Sequence, residues 1–244
     1  MARRFIVEND DIKELENELY EISGKEVKHI QVLRINVEEE VTINQNIYSI
    51  VEIKKDRIIV KYIKDAPICG VPKKDITLYI AMLKNDKMDY VVQKAVEIGV
   101  KKIIPFFSSN VVVKLDEKTR NKRIMKLQTI ANEACKQCGR TDLVEIGEFI
   151  SFKELENKVE DHEICLFAYE ESQGSFRKEI EGIKNNDNKD IACVVGSEGG
   201  FTPAEADSLN NISSVKTISL GERILRAETA VFKILSVLIY EVEE

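Results

Sequence analysis

Glu198 sits inside a glycine-rich turn, Gly196-Ser197-Glu198-Gly199-Gly200, and Arg223, Arg226 and Glu228 fall within six residues of one another just after Gly221. A turn of this kind after an apolar run can cradle phosphate, because glycine lets the backbone approach a ligand closely. The specific phosphate fingerprints, G-x-x-x-x-G-K-[ST] and G-x-G-x-x-G, are missing from the chain. Glu198 would also repel a pyrophosphate. A carboxylate there fits better beside a cationic or hydrogen-bond-donating ligand. A tight strand-to-helix turn with a solvated glutamate is the plainer alternative. The charges after Gly221 lie between a buried strand and a buried helix, so either pairing or a ligand must account for them. Arg226 with Glu228 or Glu198 would be the simple ion pair.

Other chemistries find little support. The two histidines, His29 and His162, have no serine or cysteine elbow near them. Cys135 and Cys138 form a lone C-x-x-C, and a structural zinc needs two more ligands. Cys135 also falls on the apolar stripe of an expected helix. No metal is therefore expected. What remains is positioning chemistry, with a reactive cosubstrate that brings its own leaving group.

Two strand ends present these residues. Ile191 to Val195 is an apolar run that breaks at Gly196, and Val215 to Leu220 breaks at Gly221. Thr202, Pro203 and Glu205 read as a helix start: a cap, a first-turn proline and a T-x-x-E capping box. After Arg226 a long helix places Val231, Ile234, Leu235, Leu238 and Val242 on one side, and Val237 and Ile239 widen the face. Burial against a second subunit and a deep seat in its own domain both fit that width. Upstream, Ile76 to Leu83, Ile103 to Phe107 and Ile164 to Ala168 are strand-like. Lys87 to Ile98, ending at Gly99, and Asp116 to Gly139 are helical. Strands alternating with helices predict an α/β fold with a mainly parallel sheet covered on both faces. Ligands bind at the strand-end rim of such sheets.

Before Ala66 the pattern differs. Residues 3 to 8, Val41 to Ile43, Ile47 to Ile53 and Arg57 to Ile63 read as strands, with Lys55 and Asp56 in a tight turn. Lys25 to Arg34 has helical spacing, and Asp10 to Tyr20 is expected to form a short helix. Two prolines and a glycine in Ala66 to Lys74 mark a boundary. The expected division is residues 1–70, mainly β, and residues 71–244, α/β.

The chain of 244 residues is 43% hydrophobic, enough for a real core, and carries a net charge of −7. A global basic field for nucleic acid is absent, so RNA contact would use local patches. No run of 18 apolar residues is present, so no membrane span is expected. The N-terminus has no apolar signal region, and five cysteines fit a reduced, cytoplasmic setting.

The run G-S-E-G-G-F-T-x-x-E, followed by L-G-x-R-I-L-R-x-E-T-A, resembles the SPOUT (trefoil-knot) RNA methyltransferases. The segments A-R-R-F at Ala2 to Phe5, H-I-Q-V-L-R at His29 to Arg34 and N-E-A-C-K-Q-C-G-R at Asn132 to Arg140 agree with it. The similarity spans nearly the whole chain. Ser197, Lys136 and Lys28 depart from the residues usual there. The resemblance implies a PUA-like β-barrel RNA-binding domain followed by a knotted domain that dimerises. It implies S-adenosylmethionine as methyl donor and N3 of a uridine in 16S ribosomal RNA of the small subunit as target. Its cofactor residues would be Leu166, Phe167, Ala168, Gly196, Glu198, Gly199, Gly200, Leu220, Gly221, Ile224, Leu225, Arg226 and Ala227. Glu198 and Glu228 are candidate bases, each of which could instead be a structural partner, and Arg226 is a candidate anion stabiliser. Arg3, Arg4, Lys28, His29, Arg34 and Arg140 are the candidate RNA contacts, with a Lys118 to Lys126 face that could equally be only solvated. Action on a ribose 2′-oxygen or on tRNA, and a non-catalytic RNA-binding role, are the competing expectations.

Overall fold

The apolar runs pair into two separate sheets in a computed structural model that describes residues 3–110 and 116–243. Ala2, which opens the A-R-R-F segment, lies outside the described residues. The chain divides into two compact units. One holds the chain up to Val71 together with Cys135–Asp142, and the other holds Pro72–Ala134 and Leu143 onward.

In the first unit the order is β1 (Arg3–Phe5), a short 3-10 turn (Asn9–Asp11), β2 (Ile12–Glu14), β3 (Leu19–Ile22), α1 (Lys25–Val32), β4 (Glu40–Ile43), β5 (Asn46–Ile53) and β6 (Ile58–Asp65). They form a six-stranded sheet in the order β1-β4-β5-β6-β3-β2, antiparallel throughout except for the parallel β1–β4 pair. Register irregularities at Ile47/Tyr48 and Ile50/Glu52 bend β5, and local bending of this kind lets a small sheet curl around its own core. Phe5, Ile22, Ile30, Ile43, Ile50 and Ile58 fill that core, as in a small barrel.

The helix expected over Asp10 to Tyr20 does not form. β2 and β3 pair there as a hairpin, Ile12 opposite Ile22 and Glu14 opposite Tyr20. The reversal puts Asn17 and Glu18 both at φ 60°, a conformation that ends any helix. The spacing of Ile12, Leu15 and Leu19 was too short a signal to outweigh the sheet pairing of both flanks.

The second unit contains β7 (Asp75–Ala81), α2 (Asn85–Ile98), β8 (Lys102–Phe107), α3 (Glu117–Cys138), β9 (Glu145–Ile146), β10 (Ile150–Ser151), α4 (Phe152–Glu160), β11 (Ile164–Ala168), α5 (Phe176–Asn185), β12 (Asp190–Val195), α6 (Pro203–Asn210), β13 (Val215–Ile218) and α7 (Ala227–Glu243). The last residues of α3 belong to the first unit. All seven strands are parallel, in the order β10-β8-β7-β12-β11-β13 with β9 also beside β8. Such a sheet is buried on both faces, which explains the uninterrupted burial along β7 and β12. Phe106, Phe167 and Phe201 anchor one side of its core, with the Phe167 and Phe201 rings 4.9 Å apart and edge to face.

α7 buries Val231, Ile234, Leu235 and Leu238, while Val237 stays partly open and Tyr240 is exposed. Its wide apolar face is thus covered mostly from within the unit. Gly99 ends α2 as expected, at φ 130°. Among the described residues, no helix is long and apolar enough to cross a membrane.

Candidate functional site

The loops after β11, β12 and β13 meet at the C-terminal ends of the strands, where open parallel sheets bind ligands. They enclose a cleft of about 530 Å³, within the usual size of a small-molecule site.

The floor is the turn from Gly196 to Gly200. A Cβ on Gly196 would stand 2.7 Å from Cε2 of Phe201, so the chain can pass this core ring only as glycine. Gly200 adopts φ 64°, and a Cβ there would meet Oε1 of Glu170 at 2.6 Å. The capping box then fixes the turn's far end. Thr202 Oγ1 accepts the Glu205 N–H at 3.2 Å, and Glu205 Oε2 accepts the Thr202 N–H at 2.9 Å. The other oxygen of Glu205 accepts the Ser109 N–H at 2.7 Å, which ties the start of α6 to the exit of β8. Burial pushes the Glu205 carboxyl up, but these N–H donors outweigh it and hold the group below its usual range. Asn110 Nδ2 donates to the Gly199 carbonyl at 2.9 Å.

One wall is the segment Leu220 to Ala227. Lys233 Nζ, from α7, donates to the Leu220 carbonyl at 2.5 Å, and the Gly221 N–H donates to Ser219 Oγ at 3.2 Å. Ile224 is 90% exposed on the lip, an apolar side chain without cover. Arg226 lines the cleft, exposed, and makes no ion pair among the described residues.

Glu198 reaches from the floor to Lys87 in the first turn of α2, with Nζ donating to Oε1 at 2.9 Å. Burial raises the Glu198 carboxyl, but the Lys87 hydrogen bond, its own backbone N–H and the charges of Lys87 and Lys84 together hold it below the usual carboxylate range. It is ionised at neutral pH. Glu228 does not line the cleft. Its Oε2 is buried, 4.0 Å from Lys87 Nζ, and accepts no hydrogen bond among the described residues.

Of the residues expected to bind cofactor, Ala168, Gly196, Glu198, Gly200, Leu220, Gly221, Ile224, Leu225, Arg226 and Ala227 line this one cleft. Leu166 and Phe167 are fully buried in β11 beneath it, and Gly199 faces Asn110 instead. Lys87, Tyr169, Glu170 and Ser219 line it without having been singled out. Their common signal is position: each follows the end of a strand of the parallel sheet, β7 for Lys87, β11 for Tyr169 and Glu170, and β13 for Ser219.

The cations suggested for RNA have different surroundings in the first unit. Arg4 Nη1 donates to the Gly139 carbonyl at 2.6 Å and also to that of Arg140. Arg140 is only 3% exposed and makes a two-pronged pair with Asp142, at 2.6 and 2.9 Å. These two guanidiniums hold the Gly139–Asp142 turn. Arg3 donates to the Leu33 carbonyl. His29 Nδ1 lies 3.2 Å from the buried carboxylate of Glu26, which also receives Lys136 at 2.8 Å. Lys28 and Arg34 are exposed on and just after α1. In the second unit, Lys118 and Lys122 are exposed on α3, while Lys126 pairs with Asp89 at 2.6 Å. Among the described residues no group of three His, Cys, Asp or Glu side chains could hold a metal ion.

Residues 71–239 match the RNA methyltransferase domain family. The chain is 31% identical to the ribosomal RNA small subunit methyltransferase E of Bacillus subtilis (strain 168), covering 99% of this chain and 97% of that protein. A Legionella pneumophila chain solved with bound S-adenosylmethionine superposes with a TM-score of 0.84 at 26% identity, over 98% of this chain and 97% of that one. The ribosomal RNA small subunit methyltransferase E of Neisseria gonorrhoeae, solved bound to S-adenosylmethionine, has the same fold, with a TM-score of 0.83 at 24% identity over 98% and 97%.

Proposed function

The chain belongs to the RNA methyltransferase family, and from that membership we propose that it moves a methyl group from S-adenosylmethionine to ring N3 of a uridine in 16S ribosomal RNA of the small ribosomal subunit. The observation that carries this reading is the glycine-floored cleft at the strand ends, lined by Glu170 and Glu198 and lying inside the matched span.

The residues suit such a cofactor. The carboxylates of Glu170, Glu198 and Glu222 line a cleft for a ligand that carries positive charge, the Gly196–Gly200 turn leaves the backbone open to close approach, and Leu220 and Leu225 offer apolar contact for a flat ring. When bound, S-adenosylmethionine supplies a methyl group on a positively charged sulfur, and the carbon–sulfur electron pair stays on sulfur as the nitrogen–carbon bond forms. The chain's own residues must deal with the N3 proton and with the negative charge left on the uracil. Arg226 is placed to neutralise that charge, because its guanidinium is exposed in the cleft and makes no ion pair among the described residues. Of the two candidate bases, Glu198 lines the cleft and is assigned the proton, while Glu228 does not line it and lies 4.0 Å from Lys87.

The remainder of the reading concerns the whole chain. Residues 1–70 act as the RNA-binding domain and residues 71–244 as the catalytic one, whose cofactor loops follow a trefoil-knot path. Lys28 on α1 and Arg34 just after it are exposed cations that would meet phosphate. The protein works in the cytoplasm as a homodimer, a reading supported by the exposed Ile224, Tyr90 and Tyr240. A crystallographic chain trace without a knot, or recovery of the protein from a membrane pellet, would count against these parts.

The test is transfer of labelled methyl from the cofactor to small-subunit particles and to naked 16S ribosomal RNA that lack the modification. Label in either RNA is expected. Cofactor binding with no label in either substrate would overturn the reading in favour of a binding protein.

A further inference from the structure

Lys87 has two carboxylate neighbours and is hydrogen-bonded to only one. Its Nζ lies 2.9 Å from Glu198 Oε1 and 4.0 Å from Glu228 Oε2. The Glu228 oxygen is buried and accepts no hydrogen bond among the described residues, a costly condition for a carboxylate. A shift of about 1 Å by the lysine head would bring that oxygen into hydrogen-bond range. The lysine stem is flexible, and its side chain is 36% exposed, which leaves the head room to move.

Resting on the methyltransferase reading above, we propose that Lys87 is a two-position cation: it holds Glu198 in the open cleft, yields that carboxylate to the positive charge of a bound cofactor, and closes on Glu228. The reason is charge balance. Glu198 faces the cleft, and a second cation arriving there competes with Lys87 for it. Without another counter-ion, the ammonium would be left beside a like charge in a partly desolvated space. Glu228 is that counter-ion, set behind Lys87 in the first turn of α7 and already lacking a donor. Lys84 also acts on Glu198, and Glu170, Glu222, Arg223 and Arg226 line the same cleft, so the balance is set by several charges. Lys87 is a positioning residue in this scheme. Its effect is to distinguish the sulfonium donor from the neutral thioether left after transfer, since only the former draws Glu198 away from it.

The measurement is calorimetric affinity for S-adenosylmethionine and for S-adenosylhomocysteine, compared as a ratio. Lys87→Met frees Glu198 from its competitor, so preference for the sulfonium should rise by about three- to five-fold, the scale of one partly screened charge contact. Glu228→Gln removes the second resting place, so the preference should fall by a similar factor. Lys87→Arg keeps the charge and should stay closer to the parent ratio than Lys87→Met. Unchanged ratios in Lys87→Met and Glu228→Gln, or shifts in the same direction, overturn the proposal. If Glu228→Gln does not fold, Lys87→Met decides alone: a rise supports the scheme and no rise ends it. A parent protein that binds neither ligand would overturn the cofactor reading itself, and this inference with it.

Discussion

Arg226 stands at the cleft wall, exposed and one residue before α7 begins. Among the described residues its guanidinium makes no ion pair, which is why the proposed mechanism gives it the charge that develops during reaction. Arg226→Ala should lower single-turnover methyl transfer by roughly 10²–10³-fold, the scale of one lost oxyanion donor. Cofactor affinity, measured separately by calorimetry, should change little. Near-normal turnover would remove Arg226 from the chemistry. At this scale the sequence was informative where residues cluster along the chain. Glu198, Gly196, Gly200 and the Leu220–Ala227 segment were visible because two strand breaks carry them. Lys87 was not, because it lies 111 residues from its partner Glu198. Glu228 illustrates the opposite difficulty: it is close to Arg226 in sequence, yet its free oxygen points behind the cleft toward Lys87.

The elements that present these residues are held by local interactions and by a few crossings. Glu205 serves both kinds: it caps α6 through Thr202 and fastens the exit of β8 through Ser109. Glu205→Gln should lower stability by about 1–2 kcal/mol, the range for losing a cap and a buried charge-assisted hydrogen bond. The pH dependence has a definite sign. The folded carboxyl is held below its ordinary value of 4.5, so its contribution is complete above that value. It is lost as the pH falls further, through the lowered folded value. Thermal melts of the parent should therefore drop more steeply on the acid side than those of Glu205→Gln. Identical acid limbs would contradict the role. The capping box itself was readable from T-x-x-E. The same pattern, Ser151 to Glu154, starts α4 with both capping hydrogen bonds present, yet the short apolar stripe behind it, Leu155 and Val159, gave no comparable signal. The hairpin over β2 and β3 shows the converse, where helical spacing lost to pairing partners that are distant in the chain. A Tyr79, His162 and Asp190 chain, at 2.9 and 2.8 Å, likewise joins three separated segments and leaves no mark on local patterning.

At the scale of the molecule, alternation of apolar runs with helical stripes was enough to indicate a parallel sheet and a separate β unit. The boundary was harder to read completely. Pro67, Gly70 and Pro72 mark where the first unit ends, but nothing in Cys135–Asp142 announces that this later piece joins it. Arg4 and Arg140, which looked like RNA contacts by charge, hold that returning piece in place. The knotted path proposed above cannot be read from periodicity at all, because knots are rare and local pattern carries no thread. The proposed dimer draws on exposed apolar side chains of the second unit, Ile224 foremost among them. Light scattering should give twice the 27.8 kDa chain mass at assay concentrations, and a monomer there would count against a dimeric enzyme. The central claim is the identity of the methylated atom. Small-subunit RNA treated with the protein and labelled cofactor, digested to nucleosides and resolved by mass spectrometry, should carry the label in 3-methyluridine. Label on a ribose oxygen or on another base would contradict it.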